Sequence, residues 1–306
     1  MENLLVIGYG DVARRALPEL ARRYRVYALV RTKEALLPAN SAHPKHPRIT
    51  RISGDLDQPA SLRRIAGIAD LVLHLAPPPG NGELDTRTRH LIAALQQGKI
   101  LPRRVVYIST SGVYGDCAGE LVSETRRVAP ATARAKRRCD AEQQLRRWGQ
   151  SRGGPVISIL RVPGIYAAER LPLERIRHGD PVLCATDDVF TNHIHADDLV
   201  RCALAALRHG RPNRIYHASD DSAGPASGGL RMADWFDAVA DAGKLPRPRR
   251  ISRIEAQTQL SPLVLSFMGE SRRLDNTRLK QELRVRLAYP DVFSGLAKIF
   301  ATPMEV

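Results

Sequence analysis

The sequence predicts a doubly wound α/β fold built on a parallel sheet, and three features point to it. Short apolar runs without polar alternation recur at 3–7, 25–30, 49–52, 70–76, 104–110 and 156–162, as expected of strands covered on both faces. Helical stretches such as 85–97 and 131–150 separate them, the order that right-handed crossovers produce. A glycine-bearing turn joins the first run to the first helix.

That turn lies in NLLVIGYGDVARRAL, residues 3–17. Gly8 and Gly10 end the apolar run, and from Asp11 onward Val12, Ala13, Leu17 and Leu20 recur at helical spacing. The spacing G-x-G-x-x-A gives its residues distinct roles. Gly8 makes the tight turn, Gly10 lets the backbone approach a pyrophosphate, and Ala13 keeps helix and strand close. The first helical turn, with Asp11 and Val12, offers free N–H groups and a partial positive charge to phosphates. By itself the triplet also suits a tight turn that binds nothing. Pro18 predicts a kink or an early end to this helix.

The second run, RVYALV, leads into Arg31, Thr32 and Lys33. An NAD site usually places a carboxylate there for the ribose hydroxyls. A guanidinium in that place suits a 2′-phosphate instead. The expected cofactor is NADP, with NAD as the alternative. After about Asp220 the texture changes to DDSAGPASGG and then to segments broken by KLPRPRR. The expected organisation is a dinucleotide-binding domain at 1–168 with its strands completed by 191–220, and a smaller substrate-binding region at 169–190 and 221–306.

The chain has 306 residues, 43% of them hydrophobic, and no apolar run approaches the length of a membrane span. Met1 and Glu2 lead directly into a strand, so no signal peptide is expected. Four scattered cysteines without a C-x-x-C pair indicate neither a zinc site nor a disulfide framework, and a reducing cytoplasm is the expected location. Forty-seven basic against 32 acidic residues give a net charge of +15. The arginines are spread through many predicted helices without a basic tail or aromatic interleaving. We therefore expect a solvated basic surface that attracts anionic cofactors and substrates, with neither specific nucleic-acid recognition nor a membrane as partner.

Six segments in order carry a family resemblance: GYGDVA; GDL at 54–56; LHLAP at 73–77; YISTSGVYGD at 107–116; LRVPGIY at 160–166; and HIHADDL at 193–199. Together they resemble the extended short-chain dehydrogenase/reductase family, which includes the NAD-dependent nucleotide-sugar epimerases and dehydratases. The resemblance implies a Rossmann fold, a nicotinamide cofactor, a phosphorylated or otherwise anionic small-molecule substrate, and room for a homodimer. It places Asp55, with Leu56, at the adenine, and His74, Ala76 and Pro77 along the cofactor. Thr110, with neighbours Ser109 and Ser111, falls where the family hydrogen-bonds the reacting oxygen.

The family's Y-x-x-x-K pair has no counterpart here. One register puts Arg134 and Arg138 at its two positions, and a shift of two gives Thr132 and Lys136. A guanidinium can hold a ribose or an oxyanion but releases no proton near neutral pH. Tyr114, Tyr166 and His74 stand on segments expected to face the nicotinamide and could carry the proton, although a structural role, packing for the tyrosines and capping for the histidine, accounts for each better. The expected function is an NAD(P)-binding oxidoreductase or epimerase-like protein with an atypical catalytic site. A non-catalytic NADP-binding redox sensor or regulatory protein is the alternative. In TNHIHADDL, capping by Asp197 or Asp198 accounts for the segment better than a metal site with His193 and His195. In ESRRLDN, Arg272 and Arg273 could grip a substrate phosphate, though solvated helix arginines are expected.

Overall fold

The computed structural model describes residues 1–31, 48–224 and 226–301. Seven parallel strands form the central sheet: β1 (Asn3–Ile7), β2 (Arg25–Val30), β3 (Ile49–Ser53), β4 (Leu71–His74), β5 (Arg104–Thr110), β6 (Val156–Val162) and β7 (Arg214–His217). Their spatial order is β7-β6-β5-β4-β1-β2-β3. The strand order therefore reverses between β1 and β4, and such a switch point opens a crevice outside the carboxyl ends of the strands.

Alternate residues of each strand feed opposite cores, which explains the unbroken apolar runs. Leu4, Val6, Leu71, Leu73, Val106 and Ile108 point to one face, and there they meet α1 (Asp11–Arg23) and a helix at Ala196–His209. Leu5, Ile7, Val72, Val105 and Tyr107 point to the other, covered by α2 (Thr86–Gln96) and α3 (Ala133–Gln150). Asp85 caps α2 by accepting the Thr88 N–H, and Thr132 caps α3 by accepting the Ala135 N–H. A third core of Tyr166, Trp235, Phe236, Val239, Val292 and Leu296 belongs to the C-terminal region. Short strand pairs outside the central sheet tie that region to the segments that follow β5 and β6: Arg273–Leu274 with Leu121–Val122, and Leu230–Arg231 with Phe190–Thr191.

Several expectations change. The first helix does not end early: α1 runs through Pro18 to Arg23. Pro18 is exposed, while Ala13, Ala16, Leu17, Leu20 and Ala21 bury the opposite stripe, and that packing offsets the lost backbone hydrogen bond. The helix at Ala196–His209 is capped by His195, whose Nδ1 accepts the Asp197 N–H at 3.2 Å, and not by Asp197 or Asp198. Asp198 is fully buried, receiving the N–H groups of Ala288 and Tyr289, whereas Asp197 pairs with Arg15. Thr32 and Lys33 lie outside the described residues. No helix among the described residues is long and apolar enough to cross a membrane.

Candidate functional site

Gly8 has φ +95°, and a Cβ built on it would lie 2.6 Å from the backbone nitrogen of Ala76. Only glycine fits there, because the chain leaving β1 passes directly over the chain leaving β4. Gly10 differs: a Cβ on it would meet nothing within 4 Å. It stands at the N-cap of α1, which has no side-chain cap hydrogen bond. Unfilled space beside uncapped N–H groups is the arrangement a phosphate requires.

Beside this turn lies a cavity of about 370 Å³ lined by Gly8, Tyr9, Gly10, Leu29, Arg31, Asp55, Leu56, Ala76, Pro77 and Arg87, among others. It brings together most of the cofactor residues expected from sequence. Asp11 and Val12 belong to the first turn of α1 without lining the cavity; the Asp11 carboxylate pairs with Arg15 and Arg170. His74 is also absent from the lining. Its ring is buried beneath, with Nε2 3.0 Å from the Thr88 hydroxyl, and burial lowers its pKa to about 3. Arg31 is exposed and has no ion-pair partner among the described residues. Tyr9 and Arg87 were missed in the sequence. Arg87 donates to Asp57 at 2.8 and 2.6 Å and to the Pro77 carbonyl at 3.1 Å, and it holds the Asp57 carboxyl below its usual range.

A second cavity of about 230 Å³ opens beyond the end of β5, and its lining includes Thr110, Ser111, Arg134, Phe190, Asn192, Phe267, Glu270 and Arg272. Thr110 Oγ1 accepts the Gly112 N–H at 3.2 Å. The Arg134 guanidinium lies 4.6 Å from the centroid of Phe267, and Arg272 pairs with Glu270 at 2.8 Å. Neither Arg272 nor Arg273 is a solvated helix residue. Arg272 is buried and donates to the Gly115 carbonyl, whereas Arg273 sits in a short strand with its guanidinium 5.3 Å from the Phe190 ring centroid. Phe190, Phe267 and Glu270 were missed; Glu270 opens the ESRRLDN segment, so its proximity to the arginines was the available signal.

The other candidates sit elsewhere. Arg138 donates to the Tyr107 hydroxyl at 2.9 Å and the Ile108 carbonyl at 2.8 Å, outside both cavities. Lys136 pairs with Glu83 at 2.6 Å. Tyr114, expected to face the cofactor, is buried; its hydroxyl is 2.6 Å from His217 Nε2 and Arg161 stacks on its ring at 4.7 Å. Burial raises its pKa to about 12. Tyr166 is likewise buried, donating to the Asp291 carbonyl at 3.3 Å, with its pKa raised by burial. Ser109 donates to Glu142 at 2.6 Å beneath the sheet end. No group of three or more His, Cys, Asp or Glu side chains that could hold a metal occurs among the described residues.

The parallel sheet, its switch point and the glycine turn define a dinucleotide-binding α/β protein. The chain belongs to the NAD(P)H-binding family, whose sequence profile matches residues 8–209. No match was found among curated proteins. Solved structures of similar fold include a functionally unknown conserved protein from Silicibacter pomeroyi DSS, 25% identical, covering 98% of this chain and 99% of that one with a TM-score of 0.72. MoeE5 in complex with UDP-glucose and NAD is 21% identical over 98% and 97% of the two chains, with a TM-score of 0.73. A UDP-N-acetylglucosamine 4-epimerase from Methanobrevibacter ruminantium M1, in complex with UDP-N-acetylmuramic acid, is 15% identical over 98% and 97%, with a TM-score of 0.74.

Proposed function

We propose that this protein binds NADP in preference to NAD and presents it to an anionic small molecule of the nucleotide-sugar class in the cytoplasm. The observation that carries the reading is the open space at Gly10 beside the uncapped start of α1. Arg31, at the end of β2 and without an ion-pair partner among the described residues, stands where a 2′-phosphate would be held. Asp55 and Leu56 flank the adenine side, and Ala76 and Pro77 form the wall toward the nicotinamide. The similarity to proteins solved with UDP-sugars supports the substrate class.

The cofactor supplies hydride chemistry when bound. On the protein side, Thr110 orients a substrate oxygen, and Arg134 attracts an anionic group or stabilises developing negative charge. Neither is a proton donor of the phenol kind, and no tyrosine or lysine is among the residues lining this cavity. A second reading, an NADP-binding regulatory protein without turnover, is favoured by the burial of Tyr114 and Tyr166 outside the cavity. Calorimetric titration with NADP and NAD, followed by turnover assays with a panel of nucleotide sugars, separates the two. Failure of both dinucleotides to bind would overturn either reading.

A further inference from the structure

The cavity of about 490 Å³ beside the edge strand β7, bounded by α3 and the loop at 124–128, shares no lining residue with the two cavities described above. Six of its lining residues are arginines and two are glutamates. The glutamates are already engaged. Glu142 accepts from Arg161 at 3.1 and 2.6 Å, while Glu124 pairs with Arg278 at 3.5 Å and accepts the His217 N–H. Arg126 and Arg214 are paired with Glu120 and Glu282. Arg127 and Arg146 remain, both exposed and both without an ion-pair partner among the described residues.

The floor supplies an independent observation. Arg161 is only 3% exposed, and its Nη1 has no hydrogen-bond partner. Asn213 Oδ1, on the same lining, is also buried without one. Leaving such groups unpaired is costly, because each has given up water without a replacement. A phosphate oxygen supplies the acceptor that Arg161 lacks, guanidinium forks match phosphate geometry, and a ligand hydroxyl would satisfy Asn213. We propose that this cavity is a second anion site, separate from the dinucleotide crevice, that takes a phosphate-bearing small molecule. A compact ligand fits better than a nucleic-acid backbone, because Arg161, which lines the cavity, is only 3% exposed and a continuous backbone would meet the exposed arginines instead.

The test is calorimetric titration of the full chain with inorganic pyrophosphate at physiological salt, carried out in the Gly10→Val background so that the dinucleotide turn is filled. Binding of one pyrophosphate is expected, weakened at least tenfold by Arg127→Glu with Arg146→Glu. The charge-matched control Arg63→Glu with Arg64→Glu, two exposed arginines outside all three cavities, should leave affinity within twofold. Absence of pyrophosphate binding would refute the site. So would equal weakening by the control pair, which would mean only a general attraction to a basic surface. Duplex DNA binding that is lost with Arg127 and Arg146, without pyrophosphate binding, would replace the small molecule by nucleic acid.

Discussion

The cavity at the glycine turn and the cavity beyond β5 are built by opposite means. The first is shaped by backbone: Gly8 and Gly10 follow β1, Gly54 follows β3 and Ala76 follows β4, and these small residues line the space where the three strands end. The second is shaped by side chains that come from sequence positions as far apart as Thr110, Arg134, Phe190 and Glu270. A backbone-shaped site is fixed as soon as the sheet forms. A side-chain-shaped site can change its chemistry without changing the fold.

The two glycines offer the strongest way to break the first site. Gly10→Val should abolish NADP binding while leaving the thermal midpoint nearly unchanged, because its side chain enters empty space. Gly8→Ala should instead destabilise the fold by on the order of 3 kcal/mol, since the positive φ and the 2.6 Å approach to Ala76 must both be relieved. Calorimetry and thermal unfolding on the same two variants check this. Unchanged NADP affinity in Gly10→Val would remove the site.

Acid should strain both regions. His74 lies beneath the first cavity, His193 beside Gly164 and Thr191 of the second, and His217 on the end of β7 against Tyr114, and burial lowers the pKa of each to about 3 from an ordinary 6.5. Below pH 6.5 the unfolded chain takes up protons that the folded chain refuses. Stability is therefore lost as pH falls from about 6.5 toward 3, by up to about 1.4 kcal/mol per pH unit for each histidine. Thermal midpoints measured from pH 7.5 to 5 should fall steadily, and a flat profile would mean that the rings are hydrated.

The contrast also explains what was legible in the sequence. Strands such as 3–7 and 104–110 were readable because two-sided burial forces an unbroken apolar run, and the Gly8 turn because its spacing encodes a backbone path. Pro18 does not end the helix because its cost is local, whereas the stripe from Ala13 to Ala21 acts over the whole helix. His74 ends β4 and Tyr114 follows β5, yet spacing along a strand does not say whether a side chain at its end turns toward the cavity or beneath it. His74 turns toward Thr88 and Tyr114 toward His217. Phe267 carries no sequence signal, and Glu270 only its place beside Arg272 and Arg273, since only the folded C-terminal region brings the two to Thr110.

Within the first cavity, the proposed preference for NADP rests on Arg31. Arg31→Asp should reverse a preference for NADP over NAD, a change of ~1 to 3 kcal/mol for a partly exposed phosphate contact. Competition titrations measure it directly. Arg87 is a weaker candidate for the same role, because Asp57 already occupies its guanidinium. A wild-type protein that prefers NAD would show that Arg31 is only a solvated strand-end residue.

The smallest effect concerns the second cavity. Hydride transfer at a carbinol carbon needs proton transfer at its oxygen, and a positioned acid or base is typically worth ~10² to 10⁴ in rate. Arg134 lines the cavity with Thr110 and cannot take that role, and Glu270, the carboxylate on the same lining, is held by Arg272 at 2.8 Å. Turnover of nucleotide sugars should accordingly be slow or undetectable even with NADP bound. Arg134→Tyr places a phenol in the cavity, but removing the guanidinium also ends its stacking on Phe267 at 4.6 Å. Arg138→Lys must give up the two hydrogen bonds to the Tyr107 hydroxyl and the Ile108 carbonyl before its ammonium can approach the cofactor. The double variant should therefore raise single-turnover rates only modestly, about tenfold at most against the full acid–base factor, and Arg138→Lys alone should raise nothing. Brisk wild-type turnover that Tyr114→Phe abolishes without loss of NADP affinity would show that the buried Tyr114 and His217 carry the proton, and that the two cavities are less independent than their construction implies.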